Sequence, residues 1–376
     1  MRGRTIAIQT AAMMVACTAH GGPYSRVGVN GYVDPVTWRH ADPAAPTGVV
    51  NPIFSRWATG VEAYAPADQV WAGPGVWNDP NAALGPATGW NFDIVSLGEL
   101  DEEEIGQGQP PGSITLVFGD PCRPADGRPI RNGAGYDFAV FENGFISEFN
   151  TSRGSLEGQI IAELAYVEVS SNGRDFARFP SVSLTPGPVG PYGTIEASSV
   201  YNLAGKHPNA GGVCTGTPFD LEELADRPAV LSGLVDINDI RYVRIVDVPG
   251  SGDFLDDATS HVAPNSDPEW VNYADDHPIY DAWPTWGSGG FDLEAVGLLH
   301  EQQYAADINL DGIVDWVDLS LLASAWQSHF GRPDWNGRCD LARPADRHVD
   351  IRDFSIFASQ WGHVEQWRAD FLSEGP

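Results

Sequence analysis

In Leu164-Ala165-Tyr166-Val167-Glu168-Val169-Ser170-Ser171, apolar and polar side chains alternate until the chain reaches Asn172-Gly173. Successive side chains of an extended strand point to opposite faces, so a period of two predicts a half-buried strand, and Asn-Gly predicts a turn. The same pattern recurs at 113–119, 136–142, 240–247 and 291–297, with Ile114, Phe138, Val167, Val169, Val243 and Ile245 among the expected core residues. Helical period is weak before residue 300, and Pro218 to Ala225 is the one short helix expected there. Short strands joined by long Gly/Pro loops predict a mainly β fold, an antiparallel β-sandwich or jelly-roll-like domain over residues 20–300.

Composition supports this. The 376 residues include 42 glycines and 29 prolines, which favours turn-rich β architecture over helix. The net charge of −30 argues against a nucleic-acid partner, because phosphate binding needs a basic face. It suits a protein that binds cations. Arg2 and Arg4 precede an uncharged stretch, Thr5 to Ala19, that is too short for a membrane span of about 20 residues. Residues 1–19 therefore read as a signal peptide, giving a secreted or cell-surface protein without a transmembrane span. Lipoprotein processing at Cys17 is the variant reading. Export permits disulfides, and Cys122 with Cys214 is the expected pair because both lie in the β region.

Beyond a short linker at 301–306 the period becomes helical. Leu319, Leu322, Ala323 and Trp326 fall on one helical face, and the word Asp318-Leu-Ser-Leu-Leu-Ala-Ser-Ala-Trp326 recurs 35 residues later as Asp353-Phe-Ser-Ile-Phe-Ala-Ser-Gln-Trp361. Before the first copy stands Asp307-Ile-Asn309-Leu-Asp311-Gly312-Ile313-Val-Asp315-Trp-Val-Asp318. Oxygen side chains fall at loop positions 1, 3, 5, 9 and 12, glycine at 6, and the Ile313 carbonyl at 7, which is the spacing that wraps a Ca²⁺ ion. In the second copy Asp340, Asp346, Asp350 and Asp353 align with positions 1, 5, 9 and 12. It carries two extra residues, with Arg347 at the glycine position. The segment 364–376 reads as a polar, fraying tail.

Two loop-helix units of this kind resemble a dockerin type I domain over residues 307–363. The resemblance implies a small all-α tandem calcium-loop module that docks onto a cohesin-like domain. It also implies partner selection by loop positions 10 and 11, here Trp316 and Val317, then Ile351 and Arg352. Gly135-Tyr-Asp-Phe-Ala-Val-Phe-Glu-Asn143, Asn78-Asp-Pro-Asn-Ala-Ala-Leu-Gly85 and Gly289-Gly-Phe-Asp-Leu-Glu-Ala-Val-Gly297 together resemble exported "cell surface protein" β domains of planctomycete-like bacteria. More distantly they are similar to surface cobalamin-binding proteins.

Gly-x-Ser-x-Gly and His-Glu-x-x-His are both absent from the sequence, so the expectation is a non-enzymatic binding or scaffolding protein. The alternatives are a dockerin-targeted carbohydrate-active or carbohydrate-binding protein and a small-molecule binder of the cobalamin type. Trp71, Trp77, Trp283 and Trp286 lie near Gly, Pro or Asp and are the candidates for stacking on a glycan or flat ligand. The acidic run Asp247, Asp253, Asp256 and Asp257, with Asp275, Asp276 and Asp281, reads as solvated loops ahead of a structural cation site.

Overall fold

A computed structural model describes residues 24, 28–44, 48–67, 76–118, 129–133, 135–261, 275–285, 287–300, 303–329, 332, 334–342 and 346–374. The signal-like segment 1–19 with Cys17, and also Trp71, Cys122 and Trp286, lie outside the described residues. The protein is mainly β, with antiparallel sheets and few helices.

The five expected strands form as Ser113–Val117, Phe138–Glu142, Leu164–Ser170, Tyr242–Val248 and Asp292–Leu299. They divide between two sheets. One sheet has the spatial order Ala177–Arg178, Leu164–Ser170, Tyr242–Val248, Ser113–Val117, Gly60–Ala65. The other runs Val29–Asn30, Thr215–Phe219, Phe138–Glu142, Asp292–Leu299, Phe54–Trp57, with Val95–Ser96 also on Asp292–Leu299. In the first sheet Val167 faces Ile245, Val169 faces Val243, and these continue to Ile114 and Leu116. That register makes one apolar face, because cross-strand neighbours share a side of the sheet. It meets Phe138, Val140, Leu293 and Val296 of the second sheet in one buried cluster. The rings of Phe138 and Phe219 stack at 5.4 Å, and Phe179 meets Phe219 edge-on at 5.0 Å. All six expected core residues are fully buried.

Half-burial holds for Tyr242–Val248, whose burial alternates through Val246, but was the wrong expectation for three of the strands. Leu164–Ser170, Phe138–Glu142 and Asp292–Leu299 are buried along their whole length. The outer faces are covered too: Leu164 and Tyr166 pack with Ile160, Ile195 and Leu203, while Ala139 and Phe141 pack with Val29, Ile53 and Phe54. Glu168 within its strand is paired rather than solvated. Glu168 accepts from Arg178 at 2.8 Å and from Arg244 at 2.5 Å. The helix expected over Pro218 to Ala225 is also corrected. Pro218 lies in a strand opposite Ala139, and only Leu221–Leu224 winds into a 3-10 turn. Leu221 and Leu224 enter the main core, so tertiary burial overrides local period.

The C-terminal region forms helices Trp316–Ser324, Ile351–Gln360 and Gln366–Glu374. The third helix replaces the expected fraying tail. Its Trp367 is buried, sits edge-on to Trp38 at 6.0 Å and lies flat against His300 at 6.3 Å. The expected linker is docked as well: Gln303 and Tyr304 donate their N–H groups to Glu365 Oε1 at 3.0 and 2.9 Å. Tyr24, Val182, Tyr201 and Ala258 share a buried cluster with Ile308, Val314, Leu322 and Phe357, so the two regions pack together. Among the described residues no helix is long and apolar enough to cross a membrane.

Candidate metal centre

The first loop is built by carboxylates that accept from their own backbone. Asp307 is fully buried; its Oδ1 accepts from the Asp311 N–H at 3.1 Å and its Oδ2 from Gly312 at 2.8 Å. Asn309 Oδ1 accepts from Asp311 at 3.1 Å, and Asp311 Oδ1 from Ile313 at 3.0 Å. Asp318 closes the loop, accepting from Ile308 at 2.7 Å, Asn309 at 3.1 Å and Asp315 at 2.8 Å. Asp315 accepts from Val317 at 2.7 Å, so the last two acids also cap the Trp316–Ser324 helix. Gly312 has φ +83°, and a Cβ there would stand 2.7 Å from Trp367 Cζ2 and 2.8 Å from Arg368 Cβ. The glycine is required twice, by backbone conformation and by the helix packed on it.

Burial raises the carboxyl pKa of Asp307 well above its ordinary value, with the Asp318 and Asp311 charges adding to it. Burial also raises Asp311, and it pushes Asp318 up to about 6. Two arginines that sequence reading did not place here temper this. Arg338 donates to the Ile308 carbonyl at 2.9 Å and the Asp307 carbonyl at 2.7 Å. Arg368 lies 3.4 Å from Asp311 Oδ1, donates to the Asp311 carbonyl, and stacks its guanidinium over Trp38 at 3.9 Å.

The second loop repeats most of the first loop's hydrogen bonds. Asp340 Oδ2 accepts from Arg347 at 2.7 Å and Asp346 Oδ1 from His348 at 3.1 Å. Asp353 accepts from Leu341 at 2.7 Å, Ala342 at 2.9 Å and Asp350 at 2.7 Å, and Asp350 accepts from Arg352 at 2.7 Å. Arg347 adopts φ +62° at the glycine position. Arg352, expected to face a partner, turns back into the loop instead. Its Nη2 reaches Asp346 Oδ2 at 2.5 Å and Asp350 Oδ2 at 2.8 Å. Hydrogen bonding from Arg352 holds the Asp350 carboxyl below its ordinary pKa.

Among the described residues no three His, Cys, Asp or Glu groups stand ready-converged to hold a metal ion. In both loops the carboxylate oxygens are turned to backbone N–H groups. The donor set of the first loop still fits a hard cation: Asp307, Asn309, Asp311, Asp315 and Asp318 side-chain oxygens and the Ile313 carbonyl are all oxygen donors.

The two helix starts carry an apolar surface. Trp316 is 72 % exposed and Ile351 65 %, with Val317, Phe354 and Trp361 also exposed. Trp316 meets Trp361 edge-on at 4.9 Å, so the two units contribute to one patch. Between the two helices Leu322 and Phe357 are buried, while Trp326 and Trp361 are exposed.

The stacking candidates separate. Trp283 is partly buried, donating its indole N–H to the Leu100 carbonyl at 3.0 Å. Trp77 stacks on Phe92 at 6.4 Å, and Trp90, edge-on to Phe92 at 5.8 Å, completes an aromatic group whose Trp90 is 62 % exposed. Phe92 escaped the sequence reading because a lone Phe in a polar loop carries no periodic signal. Cys214 is a free, buried thiol, so the expected bridge to Cys122 is not formed at its described end. The acidic run scatters: Asp257 pairs with Arg227 and Asp256 with His277, while Asp247 and Asp281 are buried rather than solvated. No protein-family model and no curated protein matches the chain.

Proposed function

We propose that this is an exported, non-enzymatic binding protein in which a β-sandwich carries the ligand surface and residues 307–363 form a calcium-dependent, dockerin-like attachment module. The observation that carries the reading is the repeated carboxylate-capped turn, present at Asp307–Asp318 and again at Asp340–Asp353. The first turn takes Ca²⁺ through Asp307, Asn309, Asp311, Ile313, Asp315 and Asp318. The ion offsets the mutual repulsion of four carboxylates. The apolar patch of Trp316, Val317 and Ile351 is the surface offered to a cohesin-like partner. Calorimetric titration of the full chain with Ca²⁺, followed by capture on immobilised cohesin domains with and without chelator, tests both steps. No heat of calcium binding removes the module reading; calcium binding without cohesin capture removes only the partner.

A second reading, glycan binding by the β region, is favoured by the Trp77, Phe92 and Trp90 group, since exposed rings stack on sugar faces. Trp90→Ala weakens binding to a glycan array under this reading and leaves calcium binding unchanged.

A further inference from the structure

At one end of the paired sheets, six carboxylates gather away from the calcium loops. Glu142 ends the strand Phe138–Glu142, and Asp292 begins the neighbouring Asp292–Leu299. Asp247 lies in Tyr242–Val248 of the opposite sheet, and Glu163 precedes Leu164–Ser170. Glu99 and Asp281 come from loops. All but Glu163 are at least nine-tenths buried. Their charges raise one another's pKa: Asp292 and Asp281 act on Glu142, Asp247 and Asp281 on Glu99, and Asp292, Glu142 and Glu99 on Glu163. Burial is the leading cause in each case, and it pushes Asp247 up to about 8 and Asp292 to about 7. Backbone contacts bring most of them together: Glu142 pairs across the sheet with Leu293, next to Asp292; Asp247 Oδ1 accepts from Phe291, on the other side of Asp292; and Asp281 Oδ2 accepts from Leu164, next to Glu163.

The protein supplies hydrogen bonds to these groups, with Ser96 and Ser288 acting on Asp292 and the Gly144 N–H on Glu142. Asp281 Oδ2 accepts from the Leu164 N–H at 2.6 Å, and its Oδ1 crowds against Gly250, where a Cβ would collide with it. Asp247 Oδ1 accepts from Phe291 at 2.7 Å, Asp292 Oδ2 from Asn143 at 3.2 Å, and Glu99 Oε2 from the Thr285 hydroxyl at 2.9 Å. The opposite oxygens, Glu99 Oε1, Glu142 Oε2, Asp247 Oδ2 and Asp292 Oδ1, are buried without a hydrogen-bond partner. Among the described residues no arginine, lysine or histidine forms an ion pair with any of the six.

Buried charge without a counter-charge is costly, and so is a buried acceptor without a donor. A proton removes one charge but leaves the remaining lone pairs bare. A water molecule satisfies lone pairs but leaves the charge. A hard divalent cation does both, and an all-oxygen donor set selects Ca²⁺ over softer ions. We propose that Glu99, Glu142, Asp247, Asp281 and Asp292 form a binding site for one Ca²⁺-class cation in the β region, entered past the partly exposed Glu163. The carboxylates are not ready-converged, so the ion is held through small side-chain adjustments and bridging water, which the flexible coordination of Ca²⁺ accommodates. The site does not depend on the calcium loops.

The test uses the full chain with both loops disabled, Asp307→Ala with Asp340→Ala, after chelation and buffer exchange. Metal analysis and calcium titration are expected to show one Ca²⁺ equivalent retained. Adding Asp292→Asn, which keeps the side chain's size and an amide oxygen, is expected to weaken that binding by about a hundredfold or more. Glu142→Gln is the second variant, decisive if Asp292→Asn loses the parent near-ultraviolet dichroism. A loop-disabled chain that keeps its fold and binds no calcium overturns the proposal, as does proton uptake near neutral pH that calcium leaves unchanged. Retained calcium in both carboxylate variants overturns it equally. Loss of all calcium on Asp307→Ala alone overturns this site and leaves the loop reading intact.

Discussion

The two loop-helix units share one backbone plan and differ in where positive charge comes from. In both, the final aspartate accepts two N–H groups at the loop entrance and one at the helix cap. In the first unit Gly312 makes the turn, and the guanidinium of Arg368 reaches Asp311 from the third helix. In the second, Arg352 reaches two of the loop's own acids, and Arg347 takes the left-handed turn. A duplicated motif can thus keep most of its hydrogen-bond skeleton while one copy draws an arginine of its own helix onto its acids. The capping bonds need only aspartates at fixed spacing, whereas cation binding also needs the acids left unneutralised.

The largest expected effect breaks the first unit outright. Gly312→Ala forces a side chain into a φ +83° position against Trp367 and Arg368 and should cost about 3–5 kcal/mol in denaturant melts. Asp307→Ala comes next: calorimetry should show calcium binding at the first loop weakened about a hundredfold or more, against less than about tenfold for Asp340→Ala. Equal losses in the two variants would erase the asymmetry. Arg352→Ala should then give the second loop a weak calcium site, seen as a rise in bound equivalents, because Asp346 and Asp350 lose their internal counter-charge.

The units should also respond oppositely to pH in chelator. Asp318 is raised to about 6 by burial, so the folded first unit binds protons more tightly than the unfolded chain. Its stability is highest below about pH 4 and falls as pH rises through about 6. Asp350 is lowered, so its contribution is present above about pH 4 and is lost only in stronger acid. Hydrogen exchange should therefore show the Trp316–Ser324 helix opening more readily at pH 7.5 than at pH 5, with Ile351–Gln360 unchanged; calcium should abolish the difference. The smallest effect is Arg347→Gly, which relieves the left-handed strain and should stabilise the second unit by about 1 kcal/mol in thermal melts.

Strand positions, the facing core residues and the aspartate register of both loops were legible from sequence because each rests on local spacing. A period of two places Val167, Val169, Val243 and Ile245 on one face wherever the strand lies, and an aspartate three residues into a helix caps it without distant help. The strand containing Gly216 and Pro218 carried no such period. Neither did the helix Gln366–Glu374, whose formation depends on Trp367 and Phe371 packing against Trp38.

What remained for the tertiary structure was every property set by chain segments far apart. Glu99, Glu142, Asp247, Asp281 and Asp292 are ordinary acids in the sequence, and only the pairing of two sheets buries them together. Arg338 and Arg368 are ordinary surface charges until folding carries them to the first loop. Burial and electrostatic neighbourhood depend on through-space distance, which spacing along the chain does not encode beyond a few residues; hence the loops could be read as motifs, while the buried carboxylates and the arginines became visible only in the fold.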